Sequence, residues 1–528
     1  MTESGIADVS TAVGAREGLR ASRMVPALTI ASHPVARLVG ARLLLDGVAA
    51  GHEVGVARNT GDFVAPGQLL GVALGDPFIS RQPIRFAAGQ GGGVRIIVEP
   101  GGTAGVAGEP IQGVREVGHA DLVAGVALEL ADRVVLVLHL FDRELRSAAG
   151  AFGMVGDSAG IRQVRAAIER VVDLAVPVMI RGETGTGKEL VARAIHAGGP
   201  RAAAPFVTLN LGAVPRELAA AELFGAVRGA YTGATRDRPG LFRAASGGTL
   251  FLDEVGEAAP EIQAMLLRVL ETGELYPVGA DQPVAIDVRL IAATDAPLED
   301  HIQDGRFKAP LLHRLSGYVV HVPPLRERRD DIGTLLYELA RGELAALGEL
   351  DRLTPRDPYA RPWLPARLAA QLIRYPWPGN IRELRNVTRQ LVIESRGLAQ
   401  ARIDPRLADQ LARASGPRPG APPPPAAPAL GSGVRRKPSS VTEPELIDAL
   451  RACGWDLQAA ADQLGIPRPS IYDLIDRNPS LRTAGDLAAD EITRCFAECR
   501  GDLDAMAARL QVSRRALGRR VKELGLAR

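Results

Sequence analysis

Cysteine is nearly absent. The 528 residues include three, Cys453, Cys495 and Cys499, too few for a disulfide framework and without neighbouring ligands for a metal site. They are expected to pack as small apolar side chains. Aromatic residues are scarce at 4%. Neither sign of charge dominates: 63 Lys+Arg face 61 Asp+Glu for a net +2, so any attraction to nucleic acid or a membrane surface has to be local. No run approaches the ~18 uncharged apolar residues of a spanning helix; even Leu122–Phe141 is broken by Glu129, Asp132 and Arg133. Met1–Gly14, with Glu3 and Asp8, lacks the basic-then-apolar layout of an export signal. A cytoplasmic chain with no membrane partner is therefore expected. What the sequence does have is length, enough for about three or four domains. Its 46% hydrophobic and 23% charged residues match soluble globular averages.

Composition shifts at 414–440, ASGPRPGAPPPPAAPALGSGVRRKPSS. This stretch has no periodicity, is stiffened by Pro422–Pro425 and loosened by Gly431 and Gly433, and reads as a linker. Upstream, Leu28–Phe141 alternates short aliphatic runs (Arg42–Leu45, Val94–Val98, Val134–Leu140) with Gly-rich turns, the pattern of an all-β domain. Residues 151–413 mix strands with amphipathic helices, an α/β pattern. Beyond the linker the pattern is helical and repeats at a shift of 46 positions: Glu445, Cys453, Asp456, Leu457, Leu464 and Arg468 fall on Glu491, Cys499, Asp502, Leu503, Leu510 and Arg514.

The strongest chemical signal lies in the α/β region. An apolar strand, Val178–Ile180, leads into Gly182, Glu183, Thr184, Gly185, Thr186, Gly187, Lys188 and Glu189 and then a helical run. That is a phosphate-binding loop in its required strand–loop–helix context. The glycines let backbone N–H groups turn toward phosphates, the helix N-terminus adds positive potential, and Lys188 reaches the outer phosphates. Glu189 replaces the usual Ser/Thr that helps hold magnesium. Further on, Gly248-Thr-Leu-Phe-Leu-Asp253-Glu254 is a strand ending in two acids, suited to a metal-holding Asp and a water-orienting Glu.

The run GETGTGKELVARAIH, followed by AELFGAVRGAYTGA, GGTLFLDEV, QAMLLRVLETGELYPVG, PPLRER and WPGNIRELRNV, resembles the AAA+ ATPase of sigma-54-dependent transcriptional activators, the bacterial enhancer-binding proteins. The resemblance covers roughly Val155–Gln390. It accounts for Glu189 and implies ATP and Mg²⁺ as cofactors, with Mg²⁺ on Asp253 and a water polarised by Glu254. It further implies that Asn210 restrains that Glu, that Thr294 opens a sensor I pair, and that Arg382 is sensor II in the lid. Asp295 stands where the family has Asn. Arg314 matches one of two arginine fingers supplied across subunits of a ring, by resemblance a hexamer; the other is Lys308, which keeps the charge but not the planar fork. Gly229, Ala230, Tyr231, Thr232, Gly233 and Ala234 match the loop that engages sigma-54 RNA polymerase, with Tyr231 for Phe.

In the second C-terminal repeat, Leu503–Leu510, a turn at Gln511-Val512, and a helix opened by Ser513 resemble a Fis-type helix-turn-helix. The second helix carries Arg514, Arg515, Arg519, Arg520 and Lys522, suited to phosphate and guanine contacts in enhancer DNA. The first repeat is opposite in charge: residues 441–490 hold 4 Arg and 9 Asp+Glu, whereas 491–528 hold 9 Lys+Arg and 5 Asp+Glu. The acidic copy, with Asp473 and Asp476 where base readers would lie, is expected to serve packing or dimerisation. Leu28–Phe141 resembles a forkhead-associated domain, a β-sandwich that binds phosphothreonine. Arg58, Ser80 and Arg81 fall at positions that hold phosphate or shape its loop, but Pro83 and Gly102-Thr103 depart from the pattern, so a sandwich used for other protein contacts stays open.

The expected fold is therefore multidomain: 1–27 a disordered tail, 28–142 a β-sandwich, 151–323 an α/β AAA+ P-loop core, 324–413 its α-helical lid, 414–440 a linker, and two all-α helix-turn-helix repeats at 441–486 and 487–528. Two rival functions remain, a DNA-binding regulator with a degenerate ATPase and an AAA+ remodeller of another target. If charge decides which repeat reads DNA, replacing Arg515 and Arg519 by Ala lowers enhancer affinity steeply, and each lost phosphate contact flattens the log–log salt slope by ~0.9. Replacing Asp473 and Asp476 leaves affinity nearly unchanged. Anisotropy titrations at two salt concentrations measure both, and the converse pattern would assign DNA reading to the acidic copy.

Overall fold

A computed structural model of the chain describes residues 24–143, 150–230 and 235–411 except 354, 356, 406 and 410, then 442–453 except the side chains of 444, 451 and 452, then 455, 460, 464 and 474, then 487–499 and isolated positions up to 526. The chain divides into two compact units, Met1–Pro417 and Arg418–Arg528. Among the described residues no helix is long and apolar enough to cross a membrane.

The N-terminal part of the first unit is a two-sheet sandwich. One sheet has the order β2-β1-β10-β9-β6-β7, the other β3-β4-β5-β8. These strands are β1 Met24–Ser32, β2 Arg42–Leu44, β3 Val54–Val56, β4 Ile84–Ala88, β5 Val94–Val98, β6 Ala104–Val106, β7 Glu109–Pro110, β8 Gly113–Val117, β9 Val126–Leu130 and β10 Val134–Asp142. β1 begins at Met24, so the end of the expected tail is strand: Met24 pairs with Asp142 and Ala27 with His139.

Successive side chains of a strand point to opposite faces, and β10 is apolar on both. Val134, Leu136 and Leu138 enter the sandwich core, while Val135 and Val137 join a cluster built on Ile332, Leu335, Leu336, Trp363 and Leu372. The second cluster belongs to the helical lid, made of helices Arg329–Ala346, Ala366–Arg374 and Asn380–Glu394. Sandwich and lid thus share a core. Each buried Val or Leu there contributes about 1.5–3 kcal/mol relative to exposure. Contact is close enough to need glycine: a Cβ on Gly333, inside the first lid helix, would lie 2.2 Å from the Ala31 carbonyl oxygen of β1. A mid-helix glycine otherwise costs about 1 kcal/mol against alanine.

Two arginines and an aspartate tie this junction together. Arg42 donates to Asp157 (3.2 Å) and Asp330 (3.3 Å), and Arg133 donates to Asp76 and to the carbonyls of Pro358 and Ala360. Asp331 accepts from the backbone N–H groups of Asp157 and Ser158 at 2.6 and 2.9 Å and from the Ser158 hydroxyl at 2.6 Å, fixing the start of helix Ala159–Val171.

The remainder of the first unit carries a parallel sheet of order β12-β13-β16-β11-β17. Its strands are β11 Val178–Arg181, β12 Phe206–Asn210, β13 Thr249–Asp253, β16 Arg289–Thr294 and β17 Tyr318–His321; β14 Glu274–Leu275 and β15 Val284–Ala285 form a separate ribbon. Strands β11, β13 and β16 are almost wholly buried, as a sheet covered on both faces requires.

In the second unit, helices Glu443–Ala452 and Ala489–Glu498 open the two repeats. Their separate cores keep the internal register: Leu446, Ala449 and Ala460 in one correspond to Ile492, Cys495 and Met506 in the other. Cys495 is buried among apolar neighbours, and burial pushes its thiol pKa up.

His139 lies buried under the sandwich–lid junction. Its Nδ1–H donates to the Leu140 carbonyl (3.0 Å), leaving Nε2 to accept from the Thr29 hydroxyl (2.8 Å), which itself accepts from Arg42 Nε (3.0 Å). Burial, then the Arg42 charge, holds the imidazole at about 3 rather than 6.5. The unfolded chain gains this proton near pH 6.5 and the folded chain only near 3, so stability from neutral His139 is complete above pH 6.5 and is lost as pH falls. The stability of wild type relative to His139→Gln is expected to fall by about 1.4 kcal/mol per pH unit from pH 6 to 4, read by urea unfolding. A pH-independent difference would mean the folded imidazole titrates normally.

Candidate nucleotide site

All five parallel strands end along one edge, where open α/β sheets bind ligands. β11 ends at Arg181 opposite Thr294 of β16, and β12 ends at Asn210 opposite Asp253 of β13. The loop 182–187 leaves β11 and enters helix Lys188–Ala197. Gly185 has φ +80°, and a Cβ there would lie 2.4 Å from the Gly379 carbonyl oxygen of the lid. Only glycine satisfies both constraints.

Lys188 is buried, and its ammonium donates to the loop's own carbonyls, Gly182 at 2.8 Å and Glu183 at 3.3 Å. Burial lowers its pKa, against the attraction of Asp295, Asp253 and Glu254. Asp253 shifts the other way, raised chiefly by burial, while Lys188 pulls it down. Glu254 directly after the strand holds a left-handed backbone, φ 54°, unusual for a non-glycine residue and of a kind found at functional sites. Its N–H donates to Asp253 at 3.0 Å. Asn210 and Glu254 converge on Gly212: the Asn210 amide oxygen accepts from the Gly212 and Ala213 N–H groups (2.9 and 3.1 Å), and a Cβ on Gly212 would meet Glu254 Oε2 at 2.2 Å.

Thr294 is buried and its hydroxyl accepts from Ala296 N–H at 3.0 Å, while its carbonyl accepts from Gly182 N–H at 3.2 Å. Thr186 donates to the Glu183 carbonyl at 2.7 Å, and Thr184 donates to Asp295 at 2.5 Å. Glu189 pairs with Arg193 one turn along its helix. Arg382 meets the loop from the lid, its Cβ 3.1 Å from where a Gly185 Cβ would stand. Arg314 is more than half exposed, and its described partner is Glu271 at 3.6 Å rather than a loop residue.

Two site residues were not singled out from the sequence, although both stand inside quoted motifs. Arg326 of PPLRER grips the Glu183 carboxylate with two hydrogen bonds of 2.7 and 2.8 Å and holds its pKa down. Asn380 of WPGN is fully buried, donates to Glu183 and to the Thr184 carbonyl at 3.1 Å each, and accepts from Leu325 N–H. Together with Ile381 N–H on the Gly185 carbonyl (3.0 Å), they fasten the phosphate loop to the lid.

The residues fit a nucleotide with magnesium. Among the described residues Lys188 has only backbone hydrogen-bond partners, and Asp253 is a half-buried carboxylate that accepts from the Glu254 N–H. Among the described residues no group of three or more His, Cys, Asp or Glu could hold a metal ion, so phosphate oxygens would have to complete the shell, as is usual for magnesium at nucleotide sites.

The other expected site residues lie elsewhere. Gly229 and Ala230 start the GAYTGA stretch, with Ala230 N–H on the Val227 carbonyl at 3.1 Å; Tyr231, Thr232, Gly233 and Ala234 lie outside the described residues. So do Ser513, Arg514, Arg515, Arg519 and Lys522, while Arg520 is half-buried. Arg58 donates Nε to the Ile79 carbonyl (2.8 Å) and Nη2 to that of Pro77, so it shapes the loop that presents exposed Ser80 and Arg81.

Parallel sheet, phosphate loop, paired acids and clamping helical lid define a P-loop ATPase domain of the AAA+ class. The model of the Sigma-54 interaction domain matches residues 154–321, and that of the AAA+ ATPase lid domain matches 326–414. The DNA-binding transcriptional regulator NtrC of Escherichia coli (strain K12) is 44% identical over 244 residues, 46% of this chain and 50% of the relative. The hydrogenase transcriptional regulatory protein HoxA of Cupriavidus necator is 38% identical over 363 residues, 65% of this chain and 70% of the relative. A crystal structure of NtrX from Brucella abortus in complex with ADP covers 70% of each chain at 30% identity, with a TM-score of 0.43. The chain belongs to the family of transcription regulators that carry the Sigma-54 interaction domain. It spans about half the length of NtrC.

Two substitutions separate binding from turnover. Lys188→Ala is expected to abolish ATP binding by removing the phosphate charge, whereas Glu254→Ala keeps binding and loses hydrolysis by removing only the group that orients water. Titration with ATP and a phosphate-release assay test this, and unchanged turnover in Glu254→Ala would remove Glu254 from the chemistry.

Proposed function

We propose that the chain is an ATP-hydrolysing activator that binds enhancer DNA and remodels the closed complex of sigma-54 RNA polymerase. The observation that carries this reading is the convergence of Lys188, Asp253 and Glu254 on one sheet edge inside the segment that matches the Sigma-54 interaction domain. Magnesium bound to the nucleotide would neutralise phosphate charge as the bond breaks. Lys188 reaches the outer phosphates, Asp253 holds the cation, Glu254 orients the attacking water and Asn210 limits that Glu. Thr294 sets the floor between them, and Arg382 carries the state of the nucleotide into the lid.

Arg314 has only an exposed carboxylate beside it, which supports its use by a neighbouring copy in a ring of six. Such an arginine is worth several orders of magnitude in rate. The rival reading of a degenerate ATPase draws on Lys308 and Asp295, and ATP turnover decides between the two. The stretch Gly229–Ala234 engages sigma-54. In the second C-terminal repeat, Ser513, Arg514, Arg515, Arg519, Arg520 and Lys522 read or grip the DNA, and the acidic first repeat packs or dimerises. In the sandwich, contact with a phosphothreonine protein falls to Ser80 and Arg81, since Arg58 is spent on the loop. The domain boundaries set out above, with the sandwich starting at Met24, and a cytoplasmic location complete the proposal.

Open-complex formation by purified sigma-54 polymerase in the presence of ATP tests the whole reading. Tyr231→Ala is expected to hydrolyse ATP at the wild-type rate and to yield no open complexes, because Gly229–Ala234 includes none of the residues assigned to nucleotide binding or hydrolysis. Open complexes at the wild-type level in that variant would exclude sigma-54 as the target.

A further inference from the structure

β16 lies between β11 and β13, so the residue that follows it emerges between the phosphate loop and the Asp253–Glu254 pair. That residue is Asp295. Its carboxylate accepts from the Thr184 hydroxyl at 2.5 Å, and of the acids around Lys188 it acts most strongly on the ammonium, ahead of Asp253 and Glu254. It also adds to the forces that raise Asp253.

The balance of charge around Lys188 follows. Glu183 is neutralised by Arg326 and Glu189 by Arg193. The charged groups that act on Lys188 are the acids Asp295, Asp253 and Glu254 and the base Arg382, so with Lys188 itself three acids stand against two bases before any phosphate arrives. An amide at 295 would bring the two into balance. A phosphate loop cradles the inner phosphates with backbone N–H groups and meets the outer ones with its Lys. Asp295 is exposed at the strand end with Thr184 bonded to it, and a carboxylate beside that Lys would face the outermost phosphate. It also occupies the Thr184 hydroxyl, a donor that phosphate would otherwise use.

We infer that Asp295 is a specificity-determining residue that opposes an unneutralised outermost phosphate, so that this site takes a nucleoside triphosphate only as its magnesium complex and depends on the cation less for a diphosphate. The inference rests on the reading of 182–188 as a nucleotide site. Asp295 acts by charge on the phosphate rather than by holding the loop in place.

The test is equilibrium binding of ATP and ADP carrying a fluorescent ribose tag to the full chain, with excess magnesium and with EDTA. Asp295→Asn keeps the size of the side chain and an acceptor for Thr184. It is expected to tighten metal-free ATP binding about tenfold, the effect of one charge near the outer phosphates in a half-solvated site. ADP is expected to change by less than about threefold, and the factor by which magnesium improves ATP binding to shrink accordingly. Thr184→Val, which removes the hydrogen bond and keeps the charge, should leave the magnesium factor as in wild type. An unchanged magnesium factor in Asp295→Asn, or the same shift in Thr184→Val, would overturn the inference. Binding by wild type that Lys188→Ala does not reduce would instead overturn the nucleotide-site reading beneath it.

Discussion

The segment 325–331 holds the first unit together. Arg326 reaches forward to Glu183 in the phosphate loop, and Leu325 N–H binds Asn380 at the head of the third lid helix. Asp330 meets Arg42 of the sandwich, and Asp331 receives the backbone that opens the core. Arg328, Asp330 and Asp331 are all buried, and burial with Asp330 alongside pushes the Asp331 carboxyl up. Desolvating such a group of charges costs several kcal/mol per ion, and breaking one pair costs about 3–5 kcal/mol because it strands the partner. The network therefore contributes definition more than stability: Arg42, Asp157, Asp330 and Asp331 find their partners in one arrangement of sandwich, core and lid.

The second constraint is that the β1-β10-β9 sheet has no solvent face where it meets the lid. Leu128 and Leu130 of β9 fill the sandwich while Ala127 faces the lid cluster, the same division that β10 makes. A covered face of this kind moves with what covers it. The sandwich is thus attached to the lid, whose third helix brings Asn380, Ile381 and Arg382 against the phosphate loop. Any partner at the Ser80–Arg81 loop acts on a body continuous with the lid, since Arg133 beside that loop is bonded to Asp76 on one side and to Pro358 and Ala360 on the other.

At the nucleotide site, acids and bases are placed by strand ends rather than by their immediate neighbours. Asp253, Thr294 and Arg181 reach one edge because β13, β16 and β11 run parallel and in register. The lid contributes through backbone, with Gly379 and Ile381 against Gly185. A loop with this many partners is shaped before a phosphate arrives, which limits the ordering cost of binding.

Much of this was legible in order along the chain. The run 182–189 announced its loop because three closely spaced glycines and a following helix dictate local backbone geometry, whatever surrounds them. The 46-residue shift of the C-terminal repeats carried over to their cores for the same reason, one helical pattern burying one stripe. Arg326 and Asn380 stood within recognised motifs, yet their role as a clamp on Glu183 needed partners 143 and 197 positions away. The run Val134–Leu140 marked a strand apolar on both faces without saying what covered the second. Nor could Gly333 in a helix be understood before Ala31 lay against it. Local backbone preference and side-chain periodicity are written in neighbouring residues, so the sequence by itself determined the elements, the loop and the acids. Only the tertiary structure decided that the sandwich and the lid share one core and that Asp295 stands beside Lys188, because such pairings depend on which surfaces meet once the chain has closed.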